Sequence, residues 1–91
     1  MDRRRHNRKN LSIPIDYTFS MLDFHEVKKI HGNGITTDMG DNGLGLVTDL
    51  LIEPGHVLII NNKLKTLFQK VAVVRWAMQF DNSFRIGLEF R

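Results

Sequence analysis

With 91 residues, 42% hydrophobic and 25% charged, the chain can bury one compact core and has the composition of an ordinary globular domain, which excludes a disordered polypeptide. It has no cysteine, so disulfides and thiolate metal sites are excluded, and no apolar run approaches the ~20 residues of a membrane-spanning helix. The formal net charge of +3 is unevenly placed: Arg3, Arg4, Arg5, Arg8 and Lys9 supply five of the 13 Lys and Arg, and the remaining eight face ten Asp and Glu.

In chain order, residues 2–10 are polar and aperiodic and read as a basic arm, a distribution of charge that suits an anionic partner. Leu11, Ile13, Ile15, Tyr17 and Phe19 then alternate with Ser12, Pro14, Asp16 and Thr18, the pattern of a half-buried strand. Pro14 has no N–H for a ladder and places that part of the strand at an edge. Residues 20–32 are ambiguous, because Phe19, Leu22, Val27 and Ile30 also have helical spacing; a hairpin is the preferred reading. His31-Gly32-Asn33-Gly34 reads as a turn, Ile35–Met39 as a short strand, and Leu44–Thr48 as another after the glycine-rich stretch from Asp38 to Gly45. Pro54-Gly55 is a turn signal, Val57–Ile60 a strand and Asn61-Asn62-Lys63 a turn. Last, Ala72, Val74, Trp76, Met78 and Phe80 alternate, Asp81-Asn82-Ser83 turns the chain, and Phe84, Ile86, Leu88 and Phe90 alternate with Arg85, Gly87, Glu89 and Arg91. On this reading Trp76 packs into the core. Short strands between turn clusters predict an all-β barrel or sandwich, with residues 1–10 as the arm and 11–91 as the folded domain.

The residues for catalysis are missing. His6, His25, His31 and His56 have no metal-ligand spacing, no serine lies in G-x-S-x-G, and the carboxylates form no evident acid/base pair. Asp38, Asn42, Gly43 and Asp49 fall at offsets that loosely suit a calcium loop. Gly40 at the third position has no ligand oxygen, Asp replaces the usual terminal Glu, and strands flank the stretch, so calcium is not expected. The glycines do not form G-x-G-x-x-G, which removes a dinucleotide-fold reading. The basic N-terminus lacks the apolar segment of a signal peptide, and the chain reads as cytoplasmic.

Two features remain: the pair Arg4 and Arg8, spaced R-x-x-x-R, and the stretch Asp38-x-Gly40-x-x-Gly43. Arginine presents a planar, permanently charged fork of donors that matches phosphate oxygens and the O6/N7 edge of guanine. A carboxylate complements it by accepting from guanine N1–H and N2–H2. Glycines beside the aspartate permit tight turns and close approach of the backbone to a ligand.

Here the sequence resembles the PilZ family of cyclic di-GMP receptors, whose motifs are R-x-x-x-R and [D/N]-x-S-x-x-G. Arg4-Arg5-His6-Asn7-Arg8 matches the first in full, and Asp38-Met39-Gly40-Asp41-Asn42-Gly43 matches the second at Asp38 and Gly43. Gly43-Leu44-Gly45-Leu46, Pro54-Gly55, Val73-Val74-Arg75 and Arg85-Ile86-Gly87-Leu88-Glu89-Phe90 extend the likeness over essentially the whole chain. The resemblance implies a six-stranded antiparallel β-barrel with a basic N-terminal arm, and a bacterial sensor or adaptor module rather than an enzyme. It implies cyclic di-GMP as the ligand, no metal, and a protein or domain partner downstream. Carried over, Arg4 and Arg8 contact guanine edges and phosphates, Asp38 binds a guanine edge, Gly43 shapes the turn and Arg5 assists with phosphate. Arg3, just before the first motif, favours a stacked ligand pair.

Gly40 stands where the family has Ser. Its backbone N–H remains and glycine creates no steric block, so a lost neutral hydrogen bond of about 0.5–1.5 kcal/mol implies binding weaker by about tenfold or less rather than abolition. The same departure supports an alternative, a barrel that binds no nucleotide and acts as a protein adaptor. A nucleic-acid binder using the basic arm is a further alternative, opposed by the lack of aromatics interleaved with the basic residues.

Overall fold

The computed structural model describes residues 9–10, 12–62 and 69–91. Among these, seven strands follow one another: β1 (Lys9–Asn10), β2 (Pro14–Asp23), β3 (Glu26–Met39), β4 (Gly43–Thr48), β5 (Val57–Asn62), β6 (Gln69–Phe80) and β7 (Ser83–Phe90). All pairings are antiparallel, in the order β1-β3-β2-β5-β6-β7-β4, and a further β3–β4 pairing closes the sheet. The result is a closed six-stranded barrel of β2–β7, with β1 as a short addition to β3. Closure pairs the edges that an open sheet would leave exposed.

Alternation built the core as expected over most strands. Ile15, Tyr17 and Phe19 of β2, Leu44 and Leu46 of β4, Leu58 and Ile60 of β5, Ala72 and Val74 of β6 and Ile86 and Leu88 of β7 are buried together with Ile52. Pro14 opens β2, a position where its missing N–H costs least. The ambiguous stretch is a hairpin turned by Phe24-His25, with Phe24 at φ 57 and 90% exposed. Pro54-Gly55 turns as expected, and the φ of 102 at Gly55 is one that L-residues rarely adopt.

Three sequence expectations need correction. His31-Gly32-Asn33-Gly34 is not a turn but part of β3. Its glycines provide space: Gly32 pairs with Tyr17, and a Cβ there would lie 2.5 Å from the Tyr17 ring and hydroxyl. Asn61 and Asn62 end strand β5 rather than forming a turn, while Lys63 lies outside the described residues. The third correction concerns the face of Trp76, Met78 and Phe80. The ladder shifts register between Val74 and Trp76, so Val74 pairs with Leu88 but Trp76 with Gly87. The extra residue, Arg75, makes a bulge that turns Trp76, Met78 and Phe80 outward, and they are 45%, 56% and 57% exposed.

Among the described residues, no buried side-chain nitrogen or oxygen lacks a hydrogen-bond partner. The Thr48 hydroxyl donates to the Asn33 carbonyl at 3.0 Å, so the Tyr17 hydroxyl is the donor in its 2.5 Å bond to Thr48 Oγ1. Burial pushes the Tyr17 phenol above its ordinary 10.0, and Asp49 adds to that shift. A raised folded-state pKa means that stability from this group is full below 10.0 and is lost as pH rises through the higher native value. Tyr17→Phe should cost about 1 kcal/mol at neutral pH in urea unfolding, and should flatten the alkaline fall in stability. An unchanged alkaline profile would show that Tyr17 does not carry it.

Candidate functional site

A second register shift occurs in β3, where Thr36 pairs with Leu46 but Asp38 with Gly45. Thr37 is the extra residue. In an unbroken pleat Asp38, two residues on, would share the inward face of buried Thr36, whose backbone and hydroxyl both bond Ile13. With it, Asp38 opposes Gly45 on the outer face, and the Thr37 hydroxyl donates to Asp38 Oδ1 at 3.0 Å.

The two bulges meet across four strands. Asp38 of β3 pairs with Gly45 of β4, Gly45 with Gly87 of β7, and Gly87 with Trp76 of β6. This makes one row, Asp38–Gly45–Gly87–Trp76, with glycines in its two central places. The flanking side chains lean over those glycines. A Cβ on Gly45 would lie 2.5 Å from Asp38 Oδ1 and 2.6 Å from Thr37 Oγ1, and one on Gly87 would collide with the Trp76 indole. The row thus has a backbone floor, a carboxylate at one end and an indole at the other, spanning about 14 Å at the usual interstrand spacing.

A cleft of about 340 Å³ lies along this row, lined also by Asn42, Arg75, Arg85 and Glu89. Clefts of about 400 Å³ and 410 Å³ elsewhere have no arginine in their linings. Arg75 is ion-paired through Nε to Glu89 Oε1, whereas Arg85 pairs with no carboxylate among the described residues. The cleft combines donors, an acceptor and a flat aromatic surface, which are the groups needed for a base and an anionic linkage.

The turn at the end of β3 is closed by the Gly40 N–H, which donates to the Gly43 carbonyl at 2.9 Å. Gly40 therefore does not offer the free backbone donor that its sequence position suggested. Gly43 is buried at the start of β4 and pairs with Glu89, and a Cβ there would collide with the Leu88 carbonyl oxygen. Arg3, Arg4, Arg5 and Arg8 lie outside the described residues. What is described is the chain immediately after them: Lys9 pairs with Met39 and Asn10 with Asp38.

Of the residues named from the sequence, Asp38 and Gly43 line this cleft and Gly40 does not, whereas Trp76, Arg75, Arg85, Gly45 and Gly87 line it without having been named as site residues. The available signal was the pair of glycines, each in a strand rather than a turn, where a strand glycine marks close approach of another group. Among the described residues there is no cluster of three His, Asp or Glu able to hold a metal, and no helix long and apolar enough to cross a membrane.

The closed barrel has the fold of a PilZ domain. Among solved structures, it is similar to the PilZ domain with c-di-GMP of YcgR from Escherichia coli, with a TM-score of 0.62, 16% identity and coverage of 98% of this chain and 78% of that one. No family model matches the sequence, and no curated protein is matched by it.

Proposed function

We propose that this chain is a cyclic di-GMP-binding sensor or adaptor module of bacterial, cytoplasmic second-messenger signalling, and not an enzyme. The supporting observation is the outer-face row Asp38–Gly45–Gly87–Trp76, made by two bulges and flanked by Arg75 and Arg85. The entry of the chain beside it adds to the case. Lys9, which follows Arg8 in the sequence, pairs with Met39, and Asn10 with Asp38. In this reading a guanine edge bonds Asp38, a base face lies against Trp76, and Arg85 faces phosphate. Arg4 and Arg8 close over the ligand from the arm, Arg5 assists with phosphate and Arg3 favours a stacked pair. The closed arm presents a new surface to a protein or domain partner. The 16% likeness to a c-di-GMP-bound structure agrees with this ligand.

Isothermal calorimetry with cyclic di-GMP tests the proposal, with binding at about 1 µM expected. Trp76 is the chain's sole tryptophan, so its fluorescence should change on titration. Trp76→Ala should weaken binding by about tenfold, the lower range for loss of one base–aromatic stack. Gly87→Ala, whose methyl displaces the indole, should act in the same direction. Normal affinity in both variants would remove Trp76 from the site.

One observation favours a second reading. With the family serine replaced and the Gly40 N–H committed to Gly43, position 40 supplies the ligand neither a hydroxyl nor an N–H. That suits a nucleotide-blind barrel acting as a protein adaptor. A flat calorimetric trace from folded protein would select it.

A further inference from the structure

The bulge that turns Trp76 outward leaves the end of β6 with one bare edge. β7 pairs with β6 through to Phe80, but β5 reaches only as far as Val73. From Trp76 to Phe80 no strand among the described residues occupies the other edge. A free edge of this kind is a template for another strand. Natural edges are guarded by charge or proline, yet Trp76-Ala77-Met78-Gln79-Phe80 contains neither. Trp76, Met78 and Phe80 also form an exposed apolar stripe on the outer face.

The segment is self-complementary. In an antiparallel pair with a copy of itself centred on Met78, Trp76 faces Phe80 of the second copy, Ala77 faces Gln79, and Met78 faces Met78. Trp76 and Phe80 share a face, which lets the two aromatic pairs form on the same side of the joined sheets. A twofold axis through the Met78 pair generates every contact twice, as a closed dimer requires.

We propose that this chain forms a symmetric dimer in which the Trp76–Phe80 edges of two copies pair antiparallel about Met78. The inference draws on the β6 edge rather than on the nucleotide reading, though both use the outward Trp76 side chain. A five-residue edge is a small interface, so the dimer is weak, with a Kd on the order of 100 µM.

Sedimentation velocity of the full chain between about 10 µM and about 1 mM, bracketing that Kd, should show a monomer–dimer equilibrium. Met78→Lys sets two like charges opposite each other and should leave only monomer, with circular dichroism unchanged because Met78 is exposed. The register has a separate test, since the chain has no cysteine. Facing Cα atoms in an antiparallel pair lie about 4.5–5.5 Å apart, within disulfide range. Met78→Cys should therefore cross-link under mild oxidation at least about tenfold faster than exposed Glu53→Cys, because its thiols are held together. A chain monomeric at every concentration overturns the proposal and leaves this edge to a strand of another protein. A dimer that survives Met78→Lys, or a Met78→Cys variant that cross-links no faster than Glu53→Cys, overturns it as well.

Discussion

Arg8→Ala is expected to weaken cyclic di-GMP binding by about a hundredfold, measured by calorimetry. Hydrogen bonds to charged groups contribute about 1.5–3 kcal/mol each, and a guanidinium meeting a guanine edge or phosphate makes two in parallel. Every 1.4 kcal/mol is about tenfold in Kd, so loss of the pair removes most measurable affinity. The local register explains why this residue is singled out. Asn10 pairs with Asp38 and Lys9 with Met39, so the two described residues that follow Arg8 in sequence pair beside the carboxylate that faces outward. Asp38→Ala should also weaken binding, by about tenfold or more, as a neutral partner loses its acceptor. If Arg8 and Asp38 hold one guanine, their double variant should lose less than the two single losses combined. Unaltered binding by Arg8→Ala would remove the arm from the site.

Gly43→Ala is expected to have the largest effect on stability. An added methyl would collide with the Leu88 carbonyl oxygen, with Leu88 C at 3.0 Å and Glu89 Cα at 3.2 Å. These are all backbone atoms of the neighbouring strand, so no rotamer change relieves the clash. β4 must separate from β7 at the Gly43–Glu89 pair, and the hydrogen bond from Gly40 N to Gly43 O shifts with it. Overpacking of this kind costs about 3 kcal/mol. For a domain of this size that lowers Tm by roughly 12–20 °C in scanning calorimetry. Gly55→Ala is the control: nothing lies within 4 Å of its Cβ position, and only the φ of 102 opposes it. A Gly43→Ala variant melting within a few degrees of the parent would show that β4 and β7 are not held this closely.

The legible parts of this fold were those where the pleat runs unbroken. Ile15, Tyr17 and Phe19 point inward because each lies two residues from the last, and Ile86 and Leu88 do the same. The glycines of β3 were misread as a turn because a glycine can serve space as well as φ. Gly32 yields room to the Tyr17 ring, which comes from a strand whose register is invisible locally. Asp38 stood out by motif, but its outward direction did not. Trp76 was assigned to the core because it continues the spacing of Ala72 and Val74.

From the amino-acid order alone came the absence of thiol chemistry, the alternation that makes an all-β core, and the basic leader ahead of an aspartate–glycine stretch. Tertiary structure alone decided that Asp38 and Trp76 face the same outer surface across Gly45 and Gly87. The reason is parity: a side chain's face is counted from its ladder partner, and one extra residue reverses the count. Whether Thr37 and Arg75 are extra depends on the register each strand takes against its partner, β4 for Thr37 and β7 for Arg75, which the order of residues in β3 and β6 does not carry.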